Sequence, residues 1–313
     1  MKKYRKITTN NHFIITSYYN KKNKLHRTNG PAVIKESKGG SYKIVEYWRN
    51  GKKYTNSNNQ FSITYLNDRI KEYEYIYGDK TIEVRFNNKN FKLQSIFYYK
   101  NGVSHRDNKP AYIQYNDNGN IDVEAYFIHG KLHRLDGPAF ISYYENKKIM
   151  KKSYYVNGLC HREDGPAEIY YHEDGKLYLE KYYKNGELHR EDGPALIEYH
   201  DNGKKFLEKY YNNNELHRLD GPAVIEYYGD GSIYLKEYYK NNELHRENGP
   251  AEIQYLYNNK NLDLVIKRYY LHNDECNELQ ELVIKGVEMN EKANSNINSR
   301  SKIGIFKRLW RKA

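Results

Sequence analysis

The chain has 313 residues, a formal net charge of +12 and a mean hydropathy of −1.05, and its hydrophobic fraction of 38% is reached only with 36 tyrosines. So little aliphatic material excludes a globule with a thick hydrophobic core. Regularly placed tyrosines can still build a thin, partly solvated sheet, because the ring is buried while the hydroxyl stays at the edge. The two cysteines, Cys160 and Cys276, form neither a CxxC pair nor a disulfide framework, which favours a reducing, intracellular compartment.

The positive charge lies at the two ends of the chain. Residues 1–24 contain seven Lys or Arg and no acid, and residues 283–313 contain eight Lys or Arg and two acids, whereas residues 25–282 carry a net charge of −1. A neutral body argues against nucleic acid as the partner. The N-terminus lacks the apolar run of a signal peptide, and no run of about 18 apolar residues could span a membrane.

One pattern, His-Arg-x-Asp-Gly-Pro-Ala, recurs along the chain and defines a repeat. Its histidines are His26, His105, His133, His161, His189, His217 and His245. The last six are 28 residues apart, and each of the seven prolines follows one of these histidines by five residues. The repeat predicts a basic N-terminal segment (1–11), an array of about eight to nine units (12–276), a polar linker (277–299) and a basic amphipathic tail (300–313).

Each unit is predicted to contain two β-strands. After the proline comes Ala-x-Ile-x-Tyr, as in residues 195–199, and this period of two is typical of a half-buried strand. A turn such as Asp-Asn-Gly at 201–203 leads to a second strand that ends in paired aromatics, Tyr210 and Tyr211. Asn-Gly, as at 185–186, is a strong hairpin signal because both residues tolerate positive φ. The predicted fold class is all-β, an elongated repeat array of antiparallel β-hairpins.

The array is degenerate over residues 54–95. Tyr54 stands 28 residues after His26, but near residues 75–86 the motif loop is missing, which predicts a deletion there. The stretch shows no catalytic spacing, and an enzyme hidden in residues 55–95 is kept only as an alternative to a repeat protein.

The segment YYKNGELHREDGPALIEYHDNG, residues 182–203, resembles the MORN repeats in their looser variant form. Those repeats share aromatic-x-Asn-Gly-x-x-His followed by Gly and a strand, and the resemblance covers most of residues 12–276. The unit here is longer, has Arg after the His and adds Asp-Gly-Pro-Ala, as in similar units of large DNA viruses of amoebae and of some phages and bacteria. The resemblance implies a twisted single-layer sheet that holds proteins or membranes together without catalysis. The expected setting is intracellular, in the cytoplasm, or in the host cytoplasm or virion if the protein is viral.

His, Arg and Asp within four residues look like an active site, but the pattern argues against one. An active site is normally unique, whereas His and Arg recur in all seven motifs and Asp in four of them, with no Ser or Cys nucleophile recurring beside them. Histidines of neighbouring units would lie about 9.5 Å apart, too far to share a zinc ion bound at about 2.1 Å. The sequence therefore predicts no catalytic, cofactor-binding or metal-binding residue and no cofactor.

The motif residues are interpreted instead as the structural corner of each repeat. Besides the histidines, the set comprises Arg134, Arg162, Arg190, Arg218, Asp136, Asp164, Asp192, Asp220, Pro138, Pro166, Pro194 and Pro222. The acidic position is Asn at 29, 108 and 248, and since only Asp can pair as an ion with Arg, the interchange favours a turn role over an ion pair. Glycine before proline permits a sharp backbone conformation, but one unit has Lys109 in place of the glycine, so this position is expected to avoid the extreme left-handed region.

Two functional alternatives stay open for the array. The motif arginines, with Arg27, Arg106 and Arg246 included, would form a periodic cationic stripe that binds acidic protein or phosphate, although neighbouring acids would largely neutralise it. The tyrosine columns are interpreted as cross-strand packing, or as a groove that takes a peptide or helix of a partner.

The tail, RSKIGIFKRLWRKA, is typical of a short basic amphipathic helix, since apolar residues fall at i, i+3 and i+7 among basic ones. The candidate membrane or partner contacts are Ile303, Phe306, Lys307, Arg308, Trp310 and Arg311. The alternatives are a cap on the last repeat, a solvated tail, or contact with nucleic acid. The whole chain is predicted to be a non-enzymatic scaffold that mediates protein–protein interaction, and the alternative is a peripheral protein anchored to an anionic membrane through this tail.

Overall fold

The computed structural model describes residues 4–10, 12–54, 60–66, 69–77, 79–258, 261–275 and 281–284, and every regular element among them is a β-strand. The predicted all-β fold is therefore confirmed. Within these ranges no helix is long and apolar enough to cross a membrane. The tail at 300–313, with the short helix expected for it, lies outside the described residues, as does Cys276.

The strands are short at one side of each unit and longer in the main sheet. In chain order they are β1 (Tyr4–Thr9), β2 (Phe13–Tyr19), β3 (Val33–Ser37), β4 (Tyr42–Glu46), β5 (Trp48–Arg49), β6 (Lys52–Lys53), β7 (Gln60–Leu66), β8 (Arg69–Tyr77), β9 (Lys80–Phe86), β10 (Leu93–Lys100), β11 (Val103–Ser104), β12 (Tyr112–Tyr115), β13 (Ile121–Ala125), β14 (Phe127–Ile128), β15 (Lys131–Leu132), β16 (Phe140–Tyr143), β17 (Ile149–Ser153), β18 (Tyr155–Val156), β19 (Leu159–Cys160), β20 (Glu168–Tyr171), β21 (Leu177–Lys181), β22 (Tyr183–Lys184), β23 (Glu187–Leu188), β24 (Leu196–Tyr199), β25 (Lys205–Lys209), β26 (Tyr211–Asn212), β27 (Glu215–Leu216), β28 (Val224–Tyr227), β29 (Ile233–Glu237), β30 (Tyr239–Lys240), β31 (Glu243–Leu244), β32 (Glu252–Asn258), β33 (Asn261–Arg268), β34 (Tyr270–Leu271), β35 (Asp274–Glu275) and β36 (Glu281–Ile284).

The longer strands form a 22-stranded antiparallel sheet. They follow one another as a meander in chain order from β1 to β36, except that β11 pairs with the end of β10. At about 4.8 Å per strand, the meander spans on the order of 100 Å along the sheet. The other strands form seven two-stranded hairpins, of which β22–β23 and β26–β27 are examples. The predicted succession of antiparallel hairpins, with two strands of the main sheet in each 28-residue unit, is confirmed.

The sheet is longer than the predicted array. β1 lies within the segment predicted as a basic N-terminus, 1–11, and pairs with β2 along its whole length. β36 lies within the predicted linker, 277–299, and pairs with β33. The motif marks only the loops of the repeat, so it gives no signal for the strands that lie beyond the first and last loop.

The degenerate stretch, residues 54–95, keeps the strands of the main sheet but lacks the motif loop. β7, β8, β9 and β10 are consecutive neighbours in the sheet. Only residues 78 and 79 connect β8 to β9, at the place where other units have a short hairpin and a motif loop. No short hairpin or motif loop is thus described between β8 and β9.

The core is thin and depends on the alanine that follows each proline. These alanines are 0–1% exposed, and they are Ala32, Ala111, Ala139, Ala167, Ala195, Ala223 and Ala251. The Ala195 N–H donates to the Lys209 carbonyl at 2.9 Å, and the Ala195 carbonyl accepts from the Tyr182 N–H at 2.7 Å. Each such residue is fixed between two strands, so a larger side chain would overpack the sheet.

The tyrosine that ends Ala-x-Ile-x-Tyr packs against a charged residue of the preceding unit. Tyr199 donates from its hydroxyl to Glu180 at 2.7 Å, and two other units repeat the contact at 2.6–2.7 Å. Burial and this hydrogen bond raise the pKa of Tyr199 well above its usual value. These contacts favour the interpretation of this tyrosine column as cross-strand packing.

The two long sides of the sheet differ. The turn edge carries the turns between the two main strands of each unit, and successive turns are bonded, as where Asn202 Nδ2 donates to the Gly229 carbonyl. The motif edge carries the short hairpins and the motif loops, which are residues 26–31, 105–110, 133–138, 161–166, 189–194, 217–222 and 245–250. Because it gathers the motif residues, the motif edge is the candidate site.

Candidate functional site

Each motif histidine joins its unit to the next short hairpin. His161 Nδ1 accepts a hydrogen bond from the Asn185 N–H at 3.1 Å. All seven histidines make this bond, with N···N distances of 3.0–3.4 Å. The histidine therefore lies at the corner of its repeat, and its Nδ1 atom is occupied by a contact within the fold.

Two backbone hydrogen bonds complete the junction between these units. The Gly186 N–H donates to the Cys160 carbonyl at 2.8 Å, and the Arg162 N–H donates to the Tyr183 carbonyl at 3.4 Å. Equivalent bonds recur at other junctions, so the short hairpins are stacked in register along the motif edge.

Each motif arginine lies flat over the first tyrosine of the aromatic pair. The Arg190 Cζ atom is 4.0 Å from the centre of the Tyr182 ring, and the corresponding distance is 3.7–4.2 Å in all seven units. In six of them Nη1 also donates to the carbonyl of the motif proline at 3.1–3.4 Å. A guanidinium over an aromatic face is attracted by the ring quadrupole.

Where the motif has Asp, that residue pairs with the arginine as an ion. The Nε–Oδ1 distance is 2.8–2.9 Å in the four pairs Arg134–Asp136, Arg162–Asp164, Arg190–Asp192 and Arg218–Asp220. The hydrogen bond from arginine lowers the pKa of each of these carboxyl groups. The prediction that favoured a turn role over an ion pair is therefore wrong for these units. The stacked arginine brings Nε beside the carboxylate, and the Asn units keep the stacking and the bond to the proline carbonyl.

The motif glycine makes room for the arginine. A Cβ atom would lie 3.0 Å from Arg190 Cζ at Gly193 and 2.9 Å from Arg218 Cζ at Gly221. In the four Asp units φ is not in the left-handed region, and a positive φ is seen only at Gly30 and Gly249. The Asp units thus avoid the left-handed region, as expected from the unit that has Lys109 in place of the glycine, and the guanidinium packs against the glycine Cα.

In the four Asp units the outermost charges of the motif are carboxylates rather than a cationic stripe. The arginines of the Asp units are 24–26% exposed because they are covered by tyrosine, proline and aspartate, whereas the paired aspartates are 78–83% exposed. These guanidinium groups offer little free surface to a phosphate, and the expectation of a cationic stripe is corrected for them.

The variable position of the motif lies at the outermost point of the loop. Leu135 and Leu219 are 81% and 84% exposed there, and Glu163 occupies the same position in another unit. Sequence reasoning missed these leucines because it followed only the fixed residues of the motif. The available signal was a position that varies between Leu and Glu inside a fixed frame.

A surface cleft of about 720 Å³ opens between the loops 161–166 and 189–194. Tyr182 and Tyr183 line it between the two loops, and Glu163 and Glu191 are among its other lining residues. His189 Nε2 is buried without a hydrogen-bond partner, 3.8 Å from the Glu191 carboxylate. The lining also contains the cations Arg162, Lys184 and Arg190, and Lys184 pairs with Glu191 at 2.8 Å, so the charges of the cleft are largely balanced.

Two further features bear on chemistry. Burial raises the pKa of the Cys160 thiol to about 12, so this residue is not an activated nucleophile. In the part of the chain that the structure describes, no group of three or more His, Cys, Asp or Glu side chains is placed to hold a metal ion. The tail residues 303–311 lie outside the described residues, so their expected contacts stay predictions.

No family model and no curated protein matches the chain. Among solved structures, a Photorhabdus luminescens Tc holotoxin pore with mutant TccC3 matches at a TM-score of 0.20 and 11% identity, over 88% of this chain and 14% of that one. The TcdB2–TccC3 complex matches at a TM-score of 0.20 and 12% identity, over 88% of this chain and 15% of that one. The chain thus spans about one seventh of the length of these structures, and likeness at this level carries no argument here.

Proposed function

We propose that this chain is a non-enzymatic repeat scaffold, related to the MORN repeats, that mediates protein–protein interaction inside the cell. The observation that carries the proposal is that the motif residues are occupied in joining one unit to the next. His161 Nδ1 accepts from the following hairpin, and Arg162 is shared between Tyr154, Asp164 and Pro166. Groups engaged in this way in unit after unit support a structural role rather than catalysis.

The surface that remains supports a binding role. The frame of the motif repeats at about 9.6 Å intervals, while the outermost side chain changes from unit to unit. Leu135 and Leu219 project from two loops of this frame beside charged residues, and each offers a partner an exposed apolar side chain. A regular scaffold with variable side chains suits a protein partner.

The test is capture of a stoichiometric partner followed by measured binding. The full chain serves as bait in extract of its native host, and each candidate is then purified and titrated with wild type, Leu135→Ala/Leu219→Ala and the turn-edge control Met150→Ala. We expect the double variant to lose about tenfold or more in affinity, while Met150→Ala binds as wild type. Absence of any partner that binds the purified chain would contradict the scaffold.

Association with an anionic membrane through residues 300–313 is the second candidate, favoured by their basic and apolar pattern. The full chain and a variant with Phe306 and Trp310 changed to Ser are sedimented with phosphatidylserine-containing vesicles. Equal pelleting of the two proteins would remove this candidate. Fractionation of host cells with the tagged chain tests the intracellular setting, in host cytoplasm or virion.

A further inference from the structure

The strand β1 forms one end of the main sheet, and its outer side is open. Among the described residues it pairs only with β2, residue for residue from Tyr4↔Tyr19 to Thr9↔Ile14 and without a bulge. All six of its residues are exposed. Native edge strands are protected against further pairing by shortness, a bulge, proline or charge, and of these β1 has only charge. It is therefore a regular edge on which one more strand fits.

Three residues of β1 turn their backbone groups to the open side. Hydrogen bonds alternate between the two sides of an antiparallel strand, and the phase is fixed where the Asn10 N–H donates to the Phe13 carbonyl at 3.0 Å. Counting back from that pair, every even-numbered residue of β1 bonds β2. The odd-numbered residues, which are Arg5, Ile7 and Thr9, therefore present three N–H donors and three carbonyl acceptors outward. Another extended backbone satisfies such an alternating row.

The end of the sheet around β1 is basic. Residues 4–27, which include β1 and β2, contain six Lys or Arg and no acid. The first acid along the chain that follows, Glu36, lies on β3, two strands from β1, and pairs with Lys43 at 2.9 Å. On β1 itself, Arg5 and Lys6 lie on opposite faces, because successive side chains of a strand alternate. A segment added beside β1 thus meets a cation on each of its faces.

An apolar side chain lies beside these cations. Ile7 is 53% exposed, and Ile14 of β2, which is 39% exposed, lies on the same face of the sheet. A β-branched side chain directly opposite Ile7 on an added strand would form a favourable cross-strand pair. The edge therefore recognises one apolar residue as well as negative charge.

We propose that β1 accepts an extended acidic segment of a partner protein as an additional antiparallel strand. Backbone hydrogen bonds supply the affinity in this mode of recognition, and side chains supply the specificity. In antiparallel register the segment reads apolar, acidic, acidic where it faces Ile7, Lys6 and Arg5. A second copy of the same edge is disfavoured, because it would bring the cations of both copies together. Nucleic acid would use the cations, but its phosphates offer no donor to the outward carbonyls.

This surface goes beyond the proposed function, which places a partner on the motif loops. Leu135 follows β13, which is nine strands from β1 in the sheet, or about 43 Å. Either proposal can therefore hold without the other. The variant Leu135→Ala/Leu219→Ala should bind the acidic segment as wild type does, which keeps the two tests separate.

Binding of a designed peptide to the full chain tests the proposal. The probe is Thr-Thr-Val-Glu-Glu-Tyr with fluorescein at its N-terminus, and the control has Lys-Lys in place of Glu-Glu. Fluorescence anisotropy at low salt should show binding at least about tenfold tighter for the acidic peptide. Arg5→Glu/Lys6→Glu should reverse this preference, whereas Lys21→Glu/Lys22→Glu, an equal change of charge in the turn after β2, should keep it. No saturable binding of the acidic peptide, or equal effects of the two variants, would overturn the proposal.

Methylation of single peptide amides separates strand pairing from charge attraction. In the proposed register the Val N–H bonds the carbonyl of Ile7, while the N–H of the first Glu points to solvent. The peptide with N-methyl-Val should bind at least about fivefold more weakly than the peptide with N-methyl at that Glu. Equal binding of these two peptides would overturn the proposal.

A proline on β1 gives the matching change in the protein. Ile7→Pro removes an outward N–H, which an edge strand tolerates, and it should weaken binding at least about fivefold relative to Ile7→Thr, which keeps that N–H. Circular dichroism and urea unfolding check that both variants keep the sheet. Equal binding by the two variants would overturn the proposal. A short oligothymidine that binds more tightly than the acidic peptide, with no effect of Ile7→Pro, would assign the basic end to nucleic acid instead.

Discussion

Replacement of His161 by alanine tests the claim that the motif histidine joins neighbouring units. The substitution removes the acceptor for the Asn185 N–H, which lies 3.1 Å from Nδ1, and it removes a ring that is largely buried. A neutral hydrogen bond contributes about 0.5–1.5 kcal/mol net, and the low end applies here because water can reach the freed N–H. With the lost ring contacts, we expect a loss of about 1–2 kcal/mol in the free energy of unfolding.

His161→Asn is the matched control. The asparagine Oδ1 can stand where Nδ1 stood and accept the same N–H, although the rest of the ring is lost. We expect it to recover about half of the stability that alanine loses. Urea unfolding followed by circular dichroism measures both variants, and hydrogen exchange across residues 183–190 reads the junction locally.

Faster exchange at Asn185 and Gly186 in the alanine variant, with partial protection restored by asparagine, is the expected pattern. If alanine leaves both the urea midpoint and the exchange of these amides unchanged, the histidine does not hold the junction. If asparagine is as damaging as alanine, ring packing rather than the hydrogen bond accounts for its role.

Three further predictions follow from the same loops. Gly193→Ala should lower the free energy of unfolding by about 1–2 kcal/mol in wild type but by much less in an Arg190→Ala background, because the added Cβ would meet the guanidinium. A double-mutant cycle by urea unfolding measures this coupling, and an equal loss in both backgrounds would refute it. Ala195→Leu should cost about 1–3 kcal/mol by overpacking, while Leu219→Ala stays within about 0.5 kcal/mol, as thermal unfolding can check. The pKa of each motif aspartate is lowered in the folded protein, so its ion pair with arginine adds stability above the usual carboxyl range and loses it as pH falls through the lowered pKa. A variant with all four aspartates changed to Asn should therefore lose less stability than wild type between about pH 5 and pH 2. An equal loss of stability on acidification in both proteins would contradict this assignment.

The strands and the corner were predictable because each leaves a periodic signal. Alternation in Ala-x-Ile-x-Tyr predicts a strand by itself, and Asn-Gly predicts the reversal at the short hairpin. The missing loop near residues 75–86 was visible as a gap in the spacing, and the structure has only residues 78 and 79 there. These features are local, so sequence alone specifies them.

The contacts of the arginine could not be predicted, because they depend on how the chain returns to the sheet. Arg190 meets Tyr182 only after the short hairpin reverses the chain, and it meets Gly193 only because the guanidinium then lies flat. The Asp–Asn interchange misled the prediction because the ion pair is an addition to a stacked geometry that Asn units share. A substitution pattern reports whether a contact is required, whereas it does not report whether the contact is made.

The same geometry explains why one position of the motif is free to vary. His161, Arg162, Gly165 and Pro166 each contact another part of their own loop or the next unit, so a change at any of them disturbs a junction. The position between Arg and Asp or Asn is exposed, and its contacts stay within its own unit, as where Glu191 pairs with Lys184 and Asp107 lies beside His105. Stability in such an array depends mainly on contacts between neighbouring units. Leu, Glu, Thr and Asp can therefore alternate there without cost to the fold. Selection for binding acts most freely at a position that the fold does not use, and for this reason the outermost residues of the loops are where a partner should be sought.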